Sequence, residues 1–224
     1  MSKLKIVAFM GPKGSYKTTL SNVLQATMSG APFLLSKDGG YESINDILKL
    51  RAEDKVYDAS GITHRESFAN LPKKMLSLFY NLDSGVASWI DNSWGFKASK
   101  FVFSEDADVT NRDVLIGLSE FFKSNFGANI WAKCVEHRYH SIIKQYDMVD
   151  QKLLFIDDLR YPFEHELVRK YNGLVIRTVS DATEPSDGDE ESEKWWSLMN
   201  HDLIWTNENI AANMDIANEI RKSF

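Results

Sequence analysis

The sequence predicts an α/β protein, a parallel sheet covered by helices on both faces, and three observations carry that prediction. The apolar run Ile6 to Met10 leads through a glycine-bearing loop into a helical pattern. Residues 152–179, "KLLFIDDLRYPFEHELVRKYNGLVIRTV", read as strand, acidic turn, helix, glycine stop and second strand, which is a βαβ unit and so implies a parallel sheet. The chain of 224 residues, 43% hydrophobic and 12% aromatic, is long enough to bury one sizeable core. Residues 1–224 are therefore read as one unit, with an irregular insertion at about 83–108 and a lid-like loop at about 181–194.

Each element follows from its local pattern. Ile6 to Met10 is short, apolar and ended by Gly11, as expected of a buried strand. From Lys17, the residues Leu20, Val23, Leu24, Thr27 and Met28 keep helical spacing as far as Gly30. Phe33 to Leu35 is the next candidate strand; Asp38, Gly39 and Gly40 form a turn before a short helix marked by Ile44, Ile47 and Leu48. A helix is expected from Arg65 to Tyr80, with Phe68, Leu71, Met75, Leu78 and Phe79 on one face. Asp83 to Asp108 mixes Trp89, Trp94, Gly85 and Gly95 with charges and has no long period, so its length points to substrate contact or a lid. Two helices follow, Arg112 to Phe126 and Ile130 to Gln145, with Gly127 as the stop between them. After the βαβ unit, the acidic "SDATEPSDGDEESE" lacks apolar anchors and reads as a mobile loop. "DLIWTN" is a last short strand, and Ile210 to Ile220 a closing helix.

Composition narrows the function classes. A net charge of -6 and an isoelectric point near 5.4 argue against an extended nucleic-acid surface, although not against a local cluster of arginines. Cys134 is the only cysteine, which excludes an internal disulfide and fits a reducing compartment. The start "MSKLKIVAFMG" runs into a glycine loop where a signal peptide would have a cleavage site, and no stretch reaches the ~18 apolar residues that cross a bilayer. The expected location is the cytoplasm.

The loop "GPKGSYKTTL", residues 11–20, matches the phosphate-binding pattern G-x-x-x-x-G-K-[ST] at Gly11, Lys17 and Thr18, with Tyr16 at the second glycine position. Backbone N–H groups of such a loop surround phosphate oxygens, the lysine neutralises β/γ charge, and the hydroxyl holds Mg²⁺. The candidate nucleotide contacts are Gly11, Lys13, Gly14, Ser15, Tyr16, Lys17, Thr18 and Thr19. Tyr16 fits if its φ is already helical and its ring points outward, which is the expectation; a positive φ would make it an outlier. The alternative is a glycine-rich strand-to-helix turn with no ligand.

The second constellation is "LLFIDDLR", residues 153–160. Asp157 and Asp158 close an apolar strand, where ligands of open α/β sheets bind. Asp157 can hold Mg²⁺ with Thr18, and Arg160 can grip a phosphate. The alternative is an Asp-capped helix start with a surface ion pair. Arg112, opening a helix, and Arg177, ending a strand, can add cations to a phosphoryl-transfer site, although single arginines are commonly solvated. Trp131 can stack a base, and a buried core tryptophan is the competing reading. His137 and His140 read as a solvated helix face, and Cys134 has no partner that would make it a nucleophile.

This order of motifs resembles the bacteriophage deoxynucleoside monophosphate kinases, over most of the chain apart from about residues 31–64. The matching stretches are "GPKGSYKTT", "SFANLPKKML", "RDVLIGLSEFF", "FGANIWAKCV", "IDDLRYPFEHELVRKYNGLVIRT" and the late "HDLIWTNENI". The most specific is D-x-R-[FY]-P-x-E with a following glycine and V-I-R, met by Asp158, Arg160, Tyr161, Pro162, Glu164, Gly173, Val175, Ile176 and Arg177. The resemblance implies a P-loop kinase-type parallel sheet with a lid and substrate-binding insertion. It implies ATP and Mg²⁺ at Lys17 and Thr18, and Asn207 beside the adenine. Lys73, Arg112, Trp131, Asp158, Arg160 and Glu164 would line the acceptor pocket, with Lys17, Arg112, Asp158 and Arg160 catalytic. The implied activity is transfer of the ATP γ-phosphate to a deoxynucleoside monophosphate, and the implied partners are small-molecule nucleotides, not membrane or nucleic acid; a homodimer is a common outcome for such kinases. The chain departs from the pattern at Tyr16, at Ser119 where a glycine is usual, and in an acidic segment Asp181 to Glu193 without arginine. A kinase acting on a modified base in DNA, or an inactive nucleotide-binding protein, are the competing functions.

Overall fold

The computed structural model describes residues 4–12, 15–18, 20, 21, 24, 63–80, 100–102, 108–145, 152–179, 192–206 and 211–223. The expected strand Phe33 to Leu35, the expected helix around Ile44 to Leu48, most of the 83–108 stretch and the acidic loop as far as Glu191 lie outside these residues; the end of that loop, from Ser192, is instead a short helix, Ser192–Trp195. The chain divides into two compact units, one of Met1–Ser67 with Glu136–Phe224 and one of Phe68–Val135.

Among the described residues, the first unit holds a five-stranded, all-parallel sheet in the order β2-β3-β1-β4-β5, with β1 Leu4–Met10, β2 Thr63–Glu66, β3 Lys152–Leu159, β4 Leu174–Val179 and β5 Leu203–Thr206. β1 takes the centre, and both it and β3 are buried on both faces. Val7 to Met10 are wholly inaccessible, as central strands of parallel sheets demand. It pairs on one side with β3, Val7 opposite Phe155, and on the other with β4, Met10 opposite Arg177. Of these five strands β2 and β5 lie outermost; β2 reads "THRE", too polar for the interior.

Alternation along β1 divides the core. Val7 and Phe9 join Leu153, Phe155, Ile176 and Trp205 on one face, covered by Leu20 and Leu24 of the helix that begins at Lys17 and by Ile216, Ala217 and Ile220 of the last helix. On the opposite face, Tyr139 donates its hydroxyl to the Leu4 carbonyl at 3.2 Å. The helix between β3 and β4, Pro162–Lys170, also packs on that face. A Cβ on Gly173, at the end of this helix, would lie 2.6 Å from Val168 Cγ1 and 3.0 Å from Ile6 Cβ, so only glycine lets helix and sheet meet there. The chain leaving β1 thus goes to one face and the chain leaving β3 to the other. The carboxyl end of β1 beside β3 is a topological switch point, where open α/β sheets form their ligand crevice.

In the second unit we number helices α1 Asn70–Phe79 and α2 Asn111–Phe126, and α3 Ile130–Gln145 starts there and continues into the first unit. α4 is Pro162–Lys170, α5 Ser192–Trp195 and α6 Ala211–Lys222. The boundaries of α2 and α3 match the expected ones, and Gly127, at φ +97°, ends α2. Thr110 caps α2 by accepting the Asp113 N–H (3.2 Å), and the Asp113 carboxylate returns to the Thr110 N–H (2.8 Å). α1 packs on α2, and the Tyr80 hydroxyl bonds buried Asn111.

The helix expected from Arg65 starts only at Asn70, because Thr63 to Glu66 instead pair with β3, Arg65 opposite Phe155. Pairing with an apolar strand outweighs the weak helical preference of "THRE". Among the described residues no helix is long and apolar enough to cross a membrane.

Candidate functional site

Gly11 leaves β1 at φ +149°, and a Cβ there would lie 2.4 Å from the Thr178 carbonyl oxygen and 2.5 Å from Thr178 Oγ1. The loop therefore passes directly against β4, which is possible only without a side chain. Two wholly buried hydroxyls pin it there. Ser15 Oγ lies 2.8 Å from the Pro12 carbonyl and 2.6 Å from Thr178 Oγ1, which lies 3.1 Å from the Met10 carbonyl. Two protons serve three short contacts, so the network is tight and short of donors.

Tyr16 overturns one expectation. Its φ is +60°, the left-handed region, not helical. Its carbonyl accepts the Leu20 N–H at 2.9 Å, so Tyr16 is the cap residue of the following helix, where an extended backbone is usual. For a bulky residue this conformation costs about 1–2 kcal/mol. The expected outward ring is found: Tyr16 is 37% exposed. Lys17 is buried, and its Nζ donates to the carbonyls of Gly11 (2.7 Å) and Pro12 (2.6 Å), inside the loop. Lys13, Gly14, Thr19 and Asn207 lie outside the described residues.

β1 and β3 are neighbours in register, so the loop and the acids sit at one sheet edge. Thr18 Oγ1 donates to Asp157 Oδ2 at 3.2 Å. The same oxygen accepts from Arg65 Nε at 3.0 Å and from Arg65 Nη2. Asp157 is buried, and a buried carboxylate needs such a countercharge. Asp158 accepts from the Ser67 hydroxyl, so the end of β2 reaches both acids. Arg65 and Ser67 were missed in the sequence reading, because the strand that delivers them carries no apolar alternation.

Glu164, on the first turn of α4, is buried and accepts the N–H groups of Arg160 (2.8 Å) and Tyr161 (3.0 Å) through Oε2. Burial first, and then the negative charge of Asp158, push its pKa up to about 8, against the pull of those two N–H donors and of the Arg160 guanidinium. Its described role is to fix the Asp158-to-Tyr161 turn. The half-buried Arg160 follows on that turn. Arg177 lies under the ring of Trp196, 4.9 Å from its centroid, with Nε buried and not hydrogen-bonded among the described residues.

Lys73, Arg112 and Trp131 belong to the second unit. Lys73 is half-buried on α1, and Arg112 is half-buried in the first turn of α2. Trp131 is buried; its indole N–H donates to Ser119 Oγ at 3.0 Å and its ring lies 5.4 Å from that of Phe122. These are the partners of a core tryptophan, and Ser119 supplies an acceptor that glycine could not. His137 and His140 are exposed on α3, as expected.

Among the described residues no group of three or more His, Cys, Asp or Glu could hold a metal. The hydroxyl and carboxylate of Thr18 and Asp157 suit a Mg²⁺ that takes its other ligands from phosphate and water, which is how this ion is commonly bound. No protein-family model matches the sequence, and no curated protein matches it.

Proposed function

We propose that the chain is a P-loop kinase that transfers the γ-phosphate of ATP to a deoxynucleoside monophosphate. The observation that carries this reading is the meeting of Lys17, Thr18 and Asp157 at the carboxyl ends of the adjacent parallel strands β1 and β3, with Thr18 and Asp157 3.2 Å apart. A buried lysine, a hydroxyl and a strand-end carboxylate at a switch point are the parts that phosphoryl transfer needs on its donor side.

In this reading Lys17 exchanges the Gly11 and Pro12 carbonyls for β- and γ-phosphate oxygens, and the loop's N–H groups hold the remaining charge. Mg²⁺ held by Thr18 and Asp157 would neutralise charge on the β- and γ-oxygens when bound. An oxygen of the acceptor phosphate attacks the γ-phosphorus in line, the bond to the β–γ bridging oxygen breaks, and ADP leaves with that electron pair. Arg160, on the turn after Asp158, would pair with the acceptor phosphate. Glu164, carrying its proton at neutral pH, keeps one negative charge away from that phosphate. Arg112, Lys73 and Trp131 are proposed acceptor-side residues on the resemblance alone.

One observation favours a second reading, nucleotide binding without turnover: Tyr16 holds a left-handed conformation and Lys17 is turned onto the loop's own carbonyls. A coupled assay of ADP release against a panel of deoxynucleoside monophosphates separates the two. Turnover with at least one acceptor is the expected result; ATP binding by calorimetry with no acceptor-dependent ADP release establishes the second.

A further inference from the structure

The end of β2 brings a cation to the carboxylate that faces the phosphate loop. Arg65 donates through Nε at 3.0 Å and through Nη2 to Asp157 Oδ2, the oxygen that also accepts from Thr18 Oγ1 at 3.2 Å. The guanidinium side chain is 16% exposed and the carboxylate 5%, so the pair is largely desolvated and its charges are weakly screened. A divalent cation drawn to Thr18 and Asp157 must share the carboxylate with two N–H donors already on Oδ2, and must sit beside a fixed positive charge. Nucleotide phosphates reverse that balance. They bring several negative charges to the loop, and a guanidinium pairs with a phosphate through two N–H groups as readily as with a carboxylate.

Resting on the nucleotide-site reading above, we propose that Arg65 is a positioning residue of that site: a resident counter-cation that keeps free divalent ions off Asp157 and yields it to an ion arriving with phosphates. Metal and nucleotide then bind with positive coupling, and the coupling acts equally in both directions. A partner with a merely structural role would hold Asp157 in place without producing this coupling.

The test titrates Mn²⁺ by electron paramagnetic resonance into the full chain, with and without a non-hydrolysable ATP analogue. The proteins are wild type, Arg65→Met and Arg65→Met/Asp157→Asn. Without nucleotide, Arg65→Met should bind Mn²⁺ about tenfold more tightly than wild type, a size usual for coupled sites. The gain should vanish in the double variant, and the coupling between Mn²⁺ and analogue should fall in Arg65→Met. Unchanged Mn²⁺ affinity and unchanged coupling in folded Arg65→Met overturn the inference. If Arg65→Met does not fold, Arg65→Lys carries the test: it keeps the charge but loses the paired N–H donors, so an intermediate gain in Mn²⁺ affinity supports the inference and none overturns it. A wild-type protein that binds no analogue, with or without Mn²⁺, removes the nucleotide reading and this inference together.

Discussion

The ends of β1 and β3 lie side by side at one sheet edge and are built in opposite ways. The β1 end is made of backbone: Gly11 pressed against Thr178, Tyr16 at φ +60°, two buried hydroxyls, and Lys17 bonded to carbonyls of its own loop. The β3 end is made of charge: Asp157 held by Arg65, Asp158 by Ser67, and a buried Glu164 clamped on the turn. A frame of backbone resists substitution at the positions that shape it and tolerates it where a side chain points outward. A frame of charges depends on partners from distant segments and responds to pH and ions.

Changes at each end sharpen that contrast. The largest effect is expected from Lys17→Ala, which removes the buried charge that the β1 frame is proposed to offer to phosphate. Turnover in the ADP-release assay should fall by about 10²–10³-fold, with the far-UV circular dichroism unchanged. An unchanged rate would take the loop out of the chemistry. Next is Gly11→Ala, which attacks the frame itself: a Cβ 2.4 Å from a backbone oxygen should cost about 3 kcal/mol or more in urea unfolding.

At the β3 end, Glu164 predicts a pH dependence. Its folded-state pKa of about 8 lies above the ordinary 4.5, so the folded chain keeps a proton that the unfolded chain releases. Stability contributed by this group is therefore full below pH 4.5, declines as pH rises toward 8, and levels off above it. Glu164→Gln should flatten that slope in denaturant titrations between pH 5 and 8, and a slope equal to wild type would assign the dependence to another group. The smallest effect is expected from Tyr16→Gly. Relief of the left-handed backbone should raise stability by about 1 kcal/mol, net of the added freedom of the unfolded glycine. A loss of stability would mean that the ring packs more than its exposure suggests.

The same contrast explains what was legible in the sequence. Gly11, Lys17 and Thr18 were readable because a phosphate loop is a local pattern, and residues 152–179 because apolar runs of strand length flank a glycine-stopped helix. Helices α2 and α3 were readable from period and from Gly127. Arg65 and Ser67 were not, because the contacts that give them meaning reach 92 and 91 positions along the chain, to Asp157 and Asp158. Their own segment, "THRES", has the polarity of a loop or a helix start. The φ of Tyr16 was misread for a related reason: no preference of tyrosine announces a left-handed cap, and the neighbour that pins the loop, Thr178 against Ser15, lies 163 positions away. The placing of β1 between β3 and β4 was equally hidden, since the βαβ unit announces a parallel crossover but not the strand it steps across.

That placing has a consequence for how the chain is made. The most hydrophobic of the described strands, residues 4–10, is translated well before both of its sheet neighbours, at 152–159 and 174–179. At the ~5–20 residues per second of synthesis, it waits on the order of ten seconds or more for them. During that time an oily, seven-residue ribbon is available to chaperones and to its copies on neighbouring ribosomes. Soluble yield of this protein should therefore depend on translation speed and growth temperature more than its final fold would suggest.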